Sequence, residues 1–151
     1  MALFKVNLSG VQLKDFDPVP AGRYLARVSD IVYSEASKRS KQPKIDITLD
    51  LLKGLDGEAT TEPPYNGRKA FYTVSLQESS LWNLLRTLVA LGDDEEDLKA
   101  AGELEISKED YVGRFCVAVI GHEEYEGVMR QRTRRLEPVP AGFDLSPYLK
   151  Q

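Results

Sequence analysis

The sequence predicts a mainly β domain, a five-stranded barrel with a helix between its third and fourth strands. Three observations carry that expectation. Five segments have the composition of strands, the clearest of them alternating apolar and polar residues with a period of two. One segment between the third and fourth of these switches to helical spacing. Clusters of glycine and proline separate the segments as turns and loops would. At 151 residues the chain is the size of one domain, and 42% hydrophobic content is enough to build a core.

The elements follow in order. Residues 1–16 read as an N-terminal arm, 17–138 as the folded domain and 139–151 as a C-terminal tail. Asp17-Pro-Val-Pro-Ala-Gly22 is a turn, nearly repeated at Glu137–Gly142 where the domain ends. The first strand is expected over 23–33, with Tyr24, Ala26 and Val28 on one face and the phase lost near Ser29-Asp30, as a bulge would cause. A basic loop spans 34–44. In the second strand, 44–53, Ile45, Ile47, Leu49 and Leu51 face one way, and Asp46, Thr48 and Asp50 the other. Residues 54–67 read as a long loop. The third strand, 68–76, puts Ala70, Tyr72, Val74 and Leu76 opposite Lys69, Phe71, Thr73 and Ser75.

Leu81, Leu84, Leu85, Leu88 and Leu91 then recur at helical spacing, with Ser79 or Ser80 as N-cap and Gly92 as the stop. A short helical turn is expected near residues 98–101. The fourth strand is expected over 112–121, a hairpin tip at 123–127 and the fifth strand over 128–136, with Gly127 supplying positive φ. Three strands, a helix and a hairpin is the order of a five-stranded Greek-key barrel of the oligonucleotide-binding (OB) type.

Several classes are disfavoured. The longest apolar run, 115–120, is far short of the roughly 20 residues of a membrane-spanning helix. The first residues lack the pattern of a signal peptide, and a lone Cys116 can form neither an internal disulfide nor, by itself, a metal site. A cytoplasmic protein is expected. Walker, GxGxxG, GxSxG and HExxH motifs do not occur, and neither catalysis, cofactor nor metal is expected. His122 reads as solvated and Cys116 as a core residue.

Net charge is −4, but residues 93–110 hold nine acids against two lysines, so the remainder is net positive. The cations cluster, and the local field matters more than the total. On a barrel of this type, single strands bind across strands two and three, with the loops after strands one and four as clamps. Lys38, Arg39, Lys41 and Lys44 fall in the first such loop, Lys69 on strand three, and Arg130, Arg132 and Arg134 on one face of strand five. These are the candidate phosphate contacts. Phe71, an aromatic on a polar face between Lys69 and Thr73, is the sharpest candidate for base stacking. Tyr33 and Tyr125 follow, with Tyr65 in the long loop. Tyr24, Tyr72 and Trp82 are assigned to the core. The expected function is non-sequence-specific binding of single-stranded DNA. Alternatives are a protein-interaction module of the same fold, with a partner bound at the acidic segment or the tail, and a metal-dependent nuclease using Asp46 and Asp50. For the strand-five arginines the alternative is pairing with the acidic segment.

Pro20-Ala-Gly-Arg-Tyr24, Asn66-Gly-Arg-Lys-Ala-Phe71, the leucine helix, Gly113-Arg-Phe115, Glu124-Tyr-Glu-Gly127 and the basic strand 130–135 occur in an order that resembles the bacteriophage single-stranded-DNA-binding proteins of the DUF669 type. The resemblance covers roughly residues 18–138. It implies an OB fold acting in phage DNA replication or recombination in the host cytoplasm, with replication or recombination proteins as partners and no catalysis. Many cellular single-strand binders end in an acidic recruiting tail. This chain departs from that pattern, because its last eight residues hold one acid, Asp144, and a lysine, Lys150.

Overall fold

The computed structural model describes residues 3–9, 19–35, 43–56 and 68–149, and for Tyr125 the backbone. The strands are β1 (Gly22–Ser34), β2 (Lys44–Gly54), β3 (Lys69–Ser75), β4 (Phe115–Tyr125) and β5 (Val128–Glu137). Between β3 and β4 lie α1 (Leu81–Ala90), α2 (Glu95–Ala101) and α3 (Lys108–Tyr111). All pairings are antiparallel and the spatial order is β3-β2-β1-β4-β5. After three consecutive strands, β4 returns through the helical segment to lie beside β1, which is Greek-key connectivity. The expected barrel is not closed: the described ladders end at β3 on one side and β5 on the other.

The alternation of β2 is realised as read. Ile45, Ile47, Leu49 and Leu51 are buried, while Lys44, Asp46, Thr48 and Asp50 are half-exposed on the other face. The inner face gathers Tyr24, Ala26 and Val28 of β1, Ala70, Tyr72 and Val74 of β3, and Cys116, Ala118 and Ile120 of β4 into the same core. Leu88 and Leu91 of the helical segment cover it. Burial pushes the Cys116 thiol up to about 12, so it is a neutral core residue. Register shifts between Leu25/Ala26 and Val28/Asp30 bend β1, the second at the place where the sequence loses phase.

The fourth strand starts later than its apolar residues suggest. Val112 reads as strand, yet residues 108–111 are helical and Val112 is exposed. The chain crosses to β1 through Gly113 N donating to Val28 O (2.8 Å) and Val28 N donating to Arg114 O (2.9 Å). Tyr111 packs into the core beneath this crossing. Its hydroxyl donates to Asp93 Oδ2 (2.5 Å), and Arg114 Nη1 donates to Asp93 Oδ1 (2.7 Å) with its guanidinium 4.6 Å from the Tyr111 ring centre.

The two proline turns are packed differently. In the first, Val19 is buried, its N–H donates to Gln131 Oε1 (3.3 Å), and the Tyr24 hydroxyl donates to Pro20 O. His122 is not merely solvated, since its Nε2 donates to Val19 O at 2.7 Å. Val139, the counterpart in the second turn, is only half-buried.

The β4–β5 hairpin turns through Glu126 (φ 51°) and Gly127 (φ 79°), two successive residues with positive φ as a type I′ turn requires. Glu126 occupies a conformation that costs a side-chain-bearing L-residue about 1 kcal/mol. Glu126→Asn is therefore expected to raise unfolding free energy by about 0.5–1 kcal/mol, read as a higher urea midpoint at unchanged slope. An unchanged or lower midpoint would contradict this. No helix among the described residues is long and apolar enough to cross a membrane.

Candidate functional site

Although β3 and β5 are the ends of the strand order, the bent sheet brings them to opposite banks of one cleft of about 560 Å³. Gln131 spans the gap, its Nε2 donating to Lys69 O at 3.0 Å. Phe71 and Thr73 line the β3 bank, Arg132 and Arg134 the β5 bank, and Trp82 and Arg86 of α1 one end.

The helix end is held by a chain of polar contacts. Asn83 Nδ2 donates to the Tyr72 hydroxyl (3.1 Å), and Asn83 Oδ1 accepts from Arg86 Nη2 (2.7 Å). The Arg86 guanidinium then lies 5.1 Å from the centre of the Trp82 ring, a cation–π contact between residues four apart on one helix face. Trp82 is 63% exposed and Phe71 is 65% exposed. The assignment of Trp82 to the core is thus overturned, while Phe71 stands on the outer face as expected. The signal for Trp82 was present: at 100° per residue it lies about 160° from Leu84, away from the stripe that Leu88 and Leu91 bury. Arg86, on the same side, was likewise missed. A second cavity of about 400 Å³ adjoins the Trp82–Arg86 pair and is bounded by Val89, Arg135 and Pro138.

Of the β5 arginines, Arg132 and Arg134 line the cleft, whereas Arg130 is outside its lining and stands opposite Glu123 in the β4–β5 ladder. Arg132 pairs with Glu123 on β4. The Glu123 carboxyl is held below the usual carboxylate range, first by the hydrogen bond and charge of Arg132 and further by the charges of Arg134 and Arg130. Arg134 sits at the bulge where Val119 pairs Arg135 but Ile120 pairs Thr133, and its Nη2 donates to His122 O (3.0 Å). It lies flat across Gly121, where an added Cβ would stand 2.6 Å from Arg134 Nε. Gly121 is therefore the residue that lets this guanidinium fold over the strand.

Other candidates are placed differently. Lys69 shares the face of Phe71 but is bound to Asp50 (2.7 Å), and Lys44 pairs with Asp46 (3.7 Å), so these two lysines are matched by carboxylates. Asp46 also accepts from Thr73 Oγ1 (2.5 Å). The expected groove across strands two and three therefore lacks an unmatched charge at these two lysines. The arginines that line the cleft are on α1 and β5, where Arg132 is itself ion-paired with Glu123. Tyr33 is exposed but pairs with the inward-facing Ile45, which puts it on the opposite face of the sheet from Phe71. Tyr125 pairs with Val128 at the hairpin end. Lys38, Arg39, Lys41 and Tyr65 lie outside the described residues. Among the described residues no three His, Cys, Asp or Glu side chains gather as a metal site would require.

Two exposed aromatics, a guanidinium stacked on one of them and an arginine pair on the facing bank offer π-surfaces and cations side by side. That is the chemistry that holds a base and its phosphate. Comparison with protein-family models and with curated proteins gives no match for this chain.

Proposed function

We propose that this protein binds single-stranded DNA without sequence preference, in the cleft between β3 and β5. The observation that carries the reading is the convergence of Phe71, Trp82, Arg86, Arg132 and Arg134 on one cleft from three separated stretches of chain. Bases stack on Phe71 and Trp82, and phosphates lie along the arginines. Arg132 exchanges Glu123 for phosphate at a solvent-exposed pair, so the ion pair orients the side chain without burying it. Lys38, Arg39 and Lys41, which follow β1 in the sequence, are further candidate phosphate contacts. Duplex DNA keeps its bases stacked on one another and cannot offer them to the two rings.

The finer fold reading belongs to the same proposal. A five-stranded OB barrel that is open between its third and fifth strands has the order β3-β2-β1-β4-β5, and OB barrels are partly open. With the element order that resembles the DUF669-type proteins, this supports a role in phage DNA replication or recombination in a host cytoplasm.

Trp82 is the only tryptophan and lies in the cleft, so its fluorescence reports binding directly. Titration with a single-stranded oligonucleotide at two salt concentrations is expected to quench it. Affinity should fall with salt at a slope of about −0.7 per phosphate neutralised, and an equal length of duplex should bind far more weakly. Arg132→Ala with Arg134→Ala should reduce that slope by about 1.4. Absence of quenching at low salt, or equal affinity for duplex, would overturn the reading.

A further inference from the structure

A second surface is independent of this cleft. Leu81, Leu84 and Leu88 of α1, Leu98 of α2 and Leu104 and Ile106 beyond it enclose an almost wholly apolar groove of about 260 Å³. Leu81, Leu104 and Ile106 are exposed. Glu103 and Glu105, both exposed, flank Leu104 in sequence. Lys99, the cation in the groove, is matched by Glu95 at 3.2 Å.

The N-terminal arm has the complementary properties. Leu3, Phe4, Val6 and Leu8 are all exposed, Leu3 at 96% and Phe4 at 76%, so the arm buries none of them against its own domain. Phe4, Val6 and Leu8 alternate with Lys5 and Asn7, the pattern of a strand with one apolar edge, and Lys5 is the only charge in residues 3–9. An extended segment from Phe4 to Leu8 spans about 13 Å. The helical ridge from Leu81 to Leu88 spans about 10 Å. The arm and the groove are thus similar in length and apolar character, and the arm's one positive charge is opposite in sign to the two glutamates beside Leu104.

We propose that residues 3–8 of one copy of this chain dock in the α1–α2 groove of a second copy. Each copy carries both the arm and the groove, so the contact is heterologous and can propagate head to tail or close in a small ring. Self-association would bring neighbouring copies together without using the β3–β5 cleft.

The test is the oligomeric state of the full chain by sedimentation over a concentration series, without nucleic acid. The wild-type chain is expected to self-associate. The arm variant Phe4→Asp/Val6→Asp and the groove variant Leu104→Glu/Ile106→Glu, each checked for an unchanged far-UV CD spectrum, should be monomeric under the same conditions. Mixed, the two variants should form a dimer, because the intact arm of one fits the intact groove of the other. Lys5→Glu should weaken association at least tenfold at low salt. A wild-type chain that remains monomeric at millimolar concentration overturns the proposal, even if its arm packs on its own groove. Variants that associate like the wild type also overturn it.

Discussion

Trp82→Ala is expected to weaken single-stranded DNA binding by about 5- to 150-fold, the equivalent of ~1–3 kcal/mol for one lost stacking platform. Phe71→Ala should cost a similar factor. In neither variant should the dependence on salt change, because no phosphate contact is removed. The two residues lie on the same cleft, so the double variant measures their coupling. A loss smaller than the product of the single losses means that one base contacts both rings, and an additive loss means that two bases are held separately. Because Trp82 is itself the fluorophore, these titrations need a labelled oligonucleotide read by anisotropy. Both side chains are mostly exposed, so the fold should survive either change with unfolding free energy within about 1 kcal/mol of wild type. Full affinity in both single variants would show that the cleft is not the binding site.

Asp93→Ala is expected to destabilise the protein by about 2–4 kcal/mol, a fall in Tm of about 5–15 °C. The substitution removes the acceptor for both the Tyr111 hydroxyl and the Arg114 guanidinium, two groups sheltered where the helical segment meets β1 and β4. Burial acts to raise the Asp93 carboxyl, but the hydrogen bonds from Tyr111 and Arg114 and the Arg114 charge outweigh it and leave it below the ordinary range. Its contribution is thus present above about pH 4 and lost as pH falls through the folded value. Tyr111 behaves oppositely. Burial, then the hydrogen bond to Asp93, pushes the phenol from 10 up to about 12. Its contribution is intact below about pH 10 and disappears as pH rises toward 12. Urea unfolding from pH 8 to 12 should therefore show a steeper alkaline loss in wild type than in Tyr111→Phe. Parallel profiles would mean that the phenol titrates alike in folded and unfolded chains.

The strands were legible where one face is buried and the other wet. Ile45, Ile47, Leu49 and Leu51 alternate with polar residues because the pleat sends successive side chains to opposite faces, and the structure buries those four. The leucine helix was legible for the matching reason at period 3.6, and the lost phase at Ser29-Asp30 marks a real register shift. Val112 misled because an apolar residue in a short crossing carries no period, and the backbone there is set by its hydrogen bonds to Val28. The site was half legible. Phe71 is conspicuous as an aromatic on a polar strand face, whereas Trp82 reads as core because a large ring near a leucine stripe looks buried unless its angle is counted. The pairing of Lys69 with Asp50 is a cross-strand matter that neither strand alone discloses.

The sequence by itself determined the kinds of element, their order and the face each strand turns inward, because periodicity and turn chemistry are local properties written in consecutive residues. Only the tertiary structure decided that the sheet stays unclosed, that β3 and β5 nevertheless face each other across a cleft, and which cations keep company with carboxylates. Those outcomes depend on register, bulges and the docking of α1 between the sheet edges, which are set by packing between residues far apart in the chain, as with Lys69 and Gln131, 62 positions apart.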